Sequence, residues 1–392
     1  MTGSGRIRTV TLMSSIRPLQ KSAGLAFVSL VALACSSTAT TVVEPTVSIP
    51  PRTPSSTIVE DAAPVGEADP ALAAAFDDLV TTVDGGAVAA VRVADGPLQI
   101  LAAGTDPDGN PVEPDDVVRV GSISKVFTSV LVLTFVEDGE LDLDARLDSI
   151  LTETPVGGDV TIRQLLSHRS GIPNYTENSG FFSAVLQRPS RAVSPDDVLG
   201  FVDDSDPLFD PGDRYSYSNT NFVLLGQVIE TLAGATLNEV LAERITTPLG
   251  LTRTSFDVGD RTDVLGGVTA VSASGTAGFD YTSVASSAWA AGSLVTTAEE
   301  LAVFATALFE GALLDQELVA AMRQPIDDGA EYGLGLHEGS DFGVGHGGAI
   351  LGFNSMLQLD PATGDLLLVV VNNEQRRPAA LTEAVWEAAG GT

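Results

Sequence analysis

The stretch RVGSISKVFTSVLVLTFVED, residues 119–138, decides how the chain is read. From Ile123 onward it is apolar on every side, through Val126, Phe127, Val130, Leu131, Leu133 and Phe135. A helix without a polar face belongs in the middle of a protein. A central helix is therefore expected over residues 122–138. Upstream, residues 86–95 and 98–104 are apolar runs joined at Gly96, a hairpin pattern, and 117–120 is a short extended piece. Downstream, residues 139–330 read mainly as helix and loop, with clear helices over 161–168, 221–233, 237–245 and 297–310. The last of these opens on Thr297-Ala298-Glu299-Glu300, a capping-box pattern. Strands return at 331–337, 341–345, 354–359 and 366–372. The final two are joined by the turn Asp360-Pro361-Ala362-Thr363-Gly364, and a helix over 377–389 closes the chain. The expected fold class is α+β, of the α/β-sandwich type. One antiparallel sheet is built from both ends of the chain, flanked by helices, with a mostly helical lobe inserted.

Composition limits the function classes. The 392 residues carry 52 acidic and 20 basic side chains, a formal net charge of −32. Such a surface lacks the basic patch that a nucleic-acid partner needs. It also disfavours docking of the folded body on anionic lipid. A single cysteine leaves no intramolecular disulfide and no Cys-rich zinc site. No metal site or organic cofactor is expected. No run of 18 uncharged apolar residues suggests a membrane-spanning helix.

The first 34 residues read as a signal peptide. They hold four basic residues, no acid and an apolar run over 23–34. The run ends Val31-Ala32-Leu33-Ala34-Cys35, which resembles a bacterial lipobox. That resemblance implies lipidation of Cys35 and makes an N-terminal lipid anchor the expected membrane contact. Residues 35–70 form a Ser/Thr/Pro-rich tether, too poor in apolar area to fold. Residues 71–392 are the folded domain, exported to the cell surface or the periplasmic side.

Lysine usage then singles out one residue. The chain has 18 Arg and two Lys, and Lys21 leaves with the signal peptide. Lys125 is thus the one lysine of the mature domain, and it sits in the most apolar helix. Arginine cannot act as a general base, whereas a desolvated amine can. Ser122 lies three residues upstream, on the same face one turn away. At a helix N-terminus its backbone N–H would favour a developing oxyanion. A serine hydroxyl needs a base to become nucleophilic, and Ser-x-x-Lys supplies both from one turn.

Two further elements carry chemistry. Tyr217 and Asn219 lie in YSYSNTN, residues 215–221, just ahead of a helix, where side chains project into a cleft. A phenol there can move a proton to a leaving group, and Asn219 can hold a substrate amide. His346-Gly347-Gly348-Ala349 offers a close backbone approach, with the Ala349 N–H as a second oxyanion donor beside that of Ser122. Gly343-x-Gly345-x-x-Gly348 also fits a dinucleotide fingerprint, but the βαβ context that motif requires is missing.

Together the three elements resemble the penicillin-recognising serine hydrolases: class C β-lactamases, serine D-alanyl-D-alanine carboxypeptidases and related esterases. The family pattern Ser-x-x-Lys, Tyr-x-Asn, Lys/His-Thr/Gly-Gly is met by Ser122/Lys125, Tyr217/Asn219 and His346/Gly347/Gly348. Leu165–Ile172, Pro248-Leu249-Gly250-Leu251 and Tyr332-Gly333-Leu334-Gly335-Leu336 agree as well. The resemblance implies Ser122 as nucleophile, with Lys125 and Tyr217 sharing proton transfer. It implies Asn219, His346, Gly347 and Gly348 as substrate-binding residues, and the Ser122 and Ala349 amides as the oxyanion hole. The substrate class it implies is a small peptide, ester or β-lactam. His346 in place of a lysine, and the run from Tyr215 to Phe222, point to a D-alanyl-D-alanine carboxypeptidase on cell-wall peptides. An esterase or β-lactamase of the same family is the alternative, and a cell-wall or penicillin-binding module without turnover is the alternative of another class. A terminal carboxylate would need a cation, for which Arg323, Arg376, Arg377 and His346 are the candidates.

Overall fold

The computed structural model describes residues 65–391 apart from 95, 155, 203–206, 271–278, 327–328 and 340–342. The proposed signal peptide, Cys35 and the tether up to residue 64 lie outside the described residues. The strands are β1 (Gly86–Arg92), β2 (Gln99–Gly104), β3 (Val118–Arg119), β4 (Ser255–Phe256), β5 (Leu294–Thr296), β6 (His337–Gly339), β7 (Gly343–Ile350), β8 (Phe353–Leu359) and β9 (Leu366–Val371). The helices are α1 (Pro70–Val80), α2 (Ser124–Glu137), α3 (Ile162–Leu166), α4 (Phe181–Leu186), α5 (Pro195–Leu199), α6 (Asn219–Ala233), α7 (Leu237–Leu241), α8 (Thr247–Leu249), α9 (Thr282–Gly292), α10 (Ala298–Phe309), α11 (Gln316–Arg323) and α12 (Ala379–Ala388).

The main sheet runs β2-β1-β9-β8-β7-β6, antiparallel throughout. It is assembled from both ends of the chain, as its apolar runs imply. β1 and β9 are neighbouring interior strands and are buried along their whole length. Side chains alternate across a strand, so the two faces feed different cores. Ala87, Ala89 and Val91 of β1 join Val369 and Val371 against α1 and α12. Val88 and Ala90 join the larger core with α2, α6 and α10. Within that core α2 is buried from Ser124 to Phe135, and Phe127 stacks on Phe304 of α10.

Several boundaries differ from expectation. The chain is engaged before residue 71: Val65 bridges to Leu98, and the Asp69 carboxylate caps α1 by accepting from the Ala71 and Leu72 N–H groups. Residues 331–336 are not a strand. Gly335 takes a left-handed φ of +85° and the Gly333 N–H bonds back to the Leu336 carbonyl, so the segment turns and β6 starts only at His337. β7 runs on to Ile350 instead of stopping at 345, paired with β8 over its whole length. β3 lies within the extended piece expected at 117–120, but its pairing with β5 and β4 into a small sheet was not foreseen. Its strands are two or three residues long, too short to show an alternation pattern.

That small sheet anchors the turn ahead of α2. Arg119 of β3 pairs with Asp257 at 2.7 Å, both fully buried. The guanidinium also lies over the Tyr281 ring. Asp257 accepts in addition from the Gly259 and Asp260 N–H groups.

Candidate active site

Ser122 sits in a single 3-10 turn, Gly121–Ile123, and α2 begins two residues later at Ser124. The turn is possible because Gly121 has φ +52°. A Cβ there would stand 2.6 Å from the Ala349 nitrogen. The Gly121–Ser122 backbone thus lies directly against β7, and only glycine allows that approach. Gly348 is equally tight, since its Cβ would overlap the Val120 carbonyl oxygen. Ser122 and Ala349 consequently face one cavity, with the two candidate oxyanion donors on neighbouring backbones.

Lys125 is fully buried in the first turn of α2. Its Nζ lies 3.1 Å from the Ser122 Oγ, 2.7 Å from the Asn219 Oδ1 and 2.6 Å from the Ala291 carbonyl oxygen. No carboxylate pairs with it among its hydrogen-bond partners. Burial holds its pKa well below the usual lysine range, because an ammonium loses its hydration there. A neutral amine has two N–H groups and one lone pair. In that form Asn219 and Ala291 would accept the two N–H bonds and the lone pair would face the Ser122 hydroxyl.

The Tyr217 hydroxyl donates to the Ser122 Oγ at 2.8 Å. Burial pushes this phenol upward, partly offset by its bond to Ser122, so it stays protonated. Tyr217 precedes α6 as expected, but the helix starts two residues before the expected 221, so Asn219 falls in its first turn instead of ahead of it. Asn219 is held from behind: its backbone N–H and side-chain amide both donate to the Asn174 Oδ1, and the amide also reaches Thr176.

His346 is nearly buried in β7. Its Nδ1 meets the Gly347 carbonyl and its Nε2 lies 3.1 Å from the Tyr332 hydroxyl. Burial pushes it down to about 3, so it is neutral near pH 7. Gly347 is open: a Cβ there would meet nothing closer than 3.8 Å. The other candidate carboxylate receptors are placed elsewhere. Arg323 pairs with Glu338, and the Arg376 Nε bonds the Val83 carbonyl. Arg377 is exposed and does not line the Ser122 cavity.

The sequence does not single out Asn174, Thr176 or Tyr332 as site residues, and it reads His168, beside Ser170-Gly171, as a histidine that fixes a loop by hydrogen bonding. His168 is fully buried, with φ +56°. Its carbonyl accepts from the Ser216 N–H and its Nδ1 from the Ser218 N–H. Its ring packs on Tyr217 at 4.3 Å between centroids. It therefore grips the Tyr217 backbone on both sides. The run from Ser167 to Gly171 was the available signal, but only the fold brings it against residue 217. Among the described residues no group of three His, Cys, Asp or Glu could hold a metal ion.

A serine hydroxyl, a buried amine with no carboxylate among its hydrogen-bond partners, a protonated phenol and two adjacent backbone amides can together support acyl transfer through a covalent serine intermediate. Comparison with known proteins agrees with that chemistry. The family model described as Beta-lactamase matches residues 72–390. The chain is 37% identical to "Penicillin-binding protein 4" of Amycolatopsis lactamdurans over 174 residues, 42% of this chain and 43% of that protein. It is 32% identical to "D-aminopeptidase" of Brucella anthropi over 146 residues, 36% of this chain and 27% of that protein. The matches thus span less than half of these curated relatives. In structure it resembles a D-stereospecific amidohydrolase from Streptomyces sp., at TM-score 0.69 and 29% identity, covering 81% of this chain and 98% of that one.

Proposed function

The chain belongs to the β-lactamase family, and on that footing we propose that it is a serine hydrolase that cleaves amide or ester bonds through an acyl-enzyme on Ser122. The observation that carries this reading is the double contact of the Ser122 Oγ, with the Lys125 Nζ at 3.1 Å and the Tyr217 hydroxyl at 2.8 Å. Neutral Lys125 takes the hydroxyl proton as Ser122 attacks the carbonyl carbon. The Ser122 and Ala349 N–H groups receive the oxyanion. Tyr217, kept protonated by its burial, gives a proton to the leaving amine or alcohol and regains one from Lys125. Water then releases the acyl group by the reverse relay. Asn219 holds Lys125 in place and faces the bound acyl group.

The favoured substrates are amides, short peptides and esters of D-configured residues with a neutral leaving side. The likeness to a D-stereospecific amidohydrolase supports the D-configuration. The neutral leaving side is favoured because His346 is uncharged and Arg323 and Arg376 are committed elsewhere. A D-alanyl-D-alanine carboxypeptidase on peptidoglycan is the second reading, supported by the histidine at 346. Export and a lipid anchor at Cys35 belong to the same proposal and rest on the sequence of residues 1–35.

The test is intact mass after incubation with benzylpenicillin, with Ser122→Ala as control, beside turnover of a D-alanyl-D-alanine peptide as free acid and as amide. An adduct lost in the control, and the amide cleaved at least as fast as the acid, supports the proposal. A strong preference for the free acid selects the carboxypeptidase. No adduct and no turnover leaves a binding module and removes the hydrolase reading.

A further inference from the structure

Ser122 opens on a cavity of about 560 Å³, within the roughly 300–1,000 Å³ typical of small-molecule sites. The bond-breaking chemistry accounts for Ser122, Asn219 and Ala349 in its wall. It does not account for Phe181, Phe182, Val185 and Leu186 of α4, or Val284 and Ala288 of α9. Phe182 is 55% exposed, unusual for a large apolar side chain. It stands at the cavity with its ring against Phe181, while Phe181 is buried under Tyr175 and Phe201.

The two helical walls are fixed to each other. The Ser283 hydroxyl donates to the Val185 carbonyl, and the Ser283 N–H donates to the Pro189 carbonyl. The Tyr175 hydroxyl donates to the Ser287 carbonyl. The cavity is therefore formed before a ligand arrives, which lowers the cost of binding. Among its described lining residues Glu374 carries the one charge. The Ala270 and Gly352 N–H groups hold that carboxylate in place.

We propose that this cavity is an acyl-group subsite selecting a bulky, uncharged, apolar acyl side chain, aromatic or long aliphatic, with Phe182 as the selecting residue. The proposal rests on Ser122 being the nucleophile. A methyl group would leave most of the apolar wall uncovered. Each additional buried methylene favours the larger group by about fourfold. An anionic acyl group would face Glu374 and be disfavoured.

The experiment compares kcat/KM for p-nitrophenyl acetate, hexanoate, 3-phenylpropanoate and hydrogen succinate, each normalised to its rate of alkaline hydrolysis. Hexanoate and 3-phenylpropanoate should exceed acetate by about tenfold or more, with succinate below acetate. Phe182→Asp should lower the ratio of 3-phenylpropanoate to acetate severalfold, and Val284→Asp should do the same. Equal normalised values for acetate and the large esters overturn the subsite. So does a ratio unmoved by both substitutions. Absence of turnover with every ester, together with no acyl mass on the protein, would instead overturn the Ser122 reading.

Discussion

The Tyr217 hydroxyl donates to the Ser122 Oγ at 2.8 Å although 95 positions of sequence separate them. Ser122 is thereby fixed between a phenol and the Lys125 amine, and the two have been moved in opposite directions by one cause. Burial removes hydration from whichever form is charged. It lowers the lysine and raises the tyrosine. Both shifts favour the uncharged forms, amine and phenol, which are the protonation states that a base and an acid need at the start of acylation.

From this arrangement kcat/KM should rise with pH as Lys125 loses its proton, and the rise should be complete well below the ordinary lysine pKa of 10.5. Lys125→Arg imposes a permanent charge that cannot be lost. Its activity should fall by roughly 10²–10⁴. Tyr217→Phe, a milder change in volume, should lower kcat within the same range, with the acid limb kept in place. A pH–rate profile of each variant, with melting curves for folding, checks both.

Stability should depend on pH through the two buried histidines. His346 is pushed down to about 3, and His168 well below its usual value, both chiefly by burial. The unfolded chain binds those protons near pH 6.5, so it holds more protons than the native state below that point. The contribution of these two histidines is then full above about pH 6.5 and is lost as the pH falls toward 3. Urea midpoints between pH 7 and 5, where carboxylates contribute little, should decline in the parent protein. They should decline less in His346→Gln. Equal slopes would contradict the burial argument.

Gly347→Thr should fold normally, because a Cβ at 347 meets nothing within 3.8 Å and its φ is not left-handed. The new hydroxyl would stand on β7 beside the cavity and offer a donor to a substrate carboxylate. The ratio of free-acid to amidated peptide turnover should rise. An unchanged ratio with an unchanged melting temperature would show that this position does not read the leaving side.

Asp257→Ala should destabilise the protein by about 3–5 kcal/mol, since it strands the buried Arg119 guanidinium. Arg119 lies three residues before Ser122, so a loss of acylation rate should accompany the loss of stability. Chemical denaturation and benzylpenicillin acylation kinetics measure the two effects. A loss under 1 kcal/mol would mean that solvent reaches the pair.

The sequence by itself determined the sheet of both termini, the all-round apolar α2 and the Ser122/Lys125 pair. These rest on periods and spacings within one element, and such local geometry is written in residue order. The strand set was legible for a similar reason: β1 is an Ala/Val run, β9 a Leu/Val run, and β8 is tied to β9 by the turn at Asp360–Gly364. The turn at Tyr332–Leu336, the short strands β4 and β5 and the helix α1 were not legible. Two or three residues carry no period, and Asp69 becomes a cap only once α1 has a sheet to pack on. The direction of each proton also came only with the tertiary structure. Lys125, Tyr217 and His346 are ordinary titratable residues in sequence. Their pKa values move because chain segments up to some 220 residues apart close over them and exclude water. The same folding sets α4 and α9 around the cavity, and nothing in the order of residues 181–186 and 282–292 announces that they share a wall.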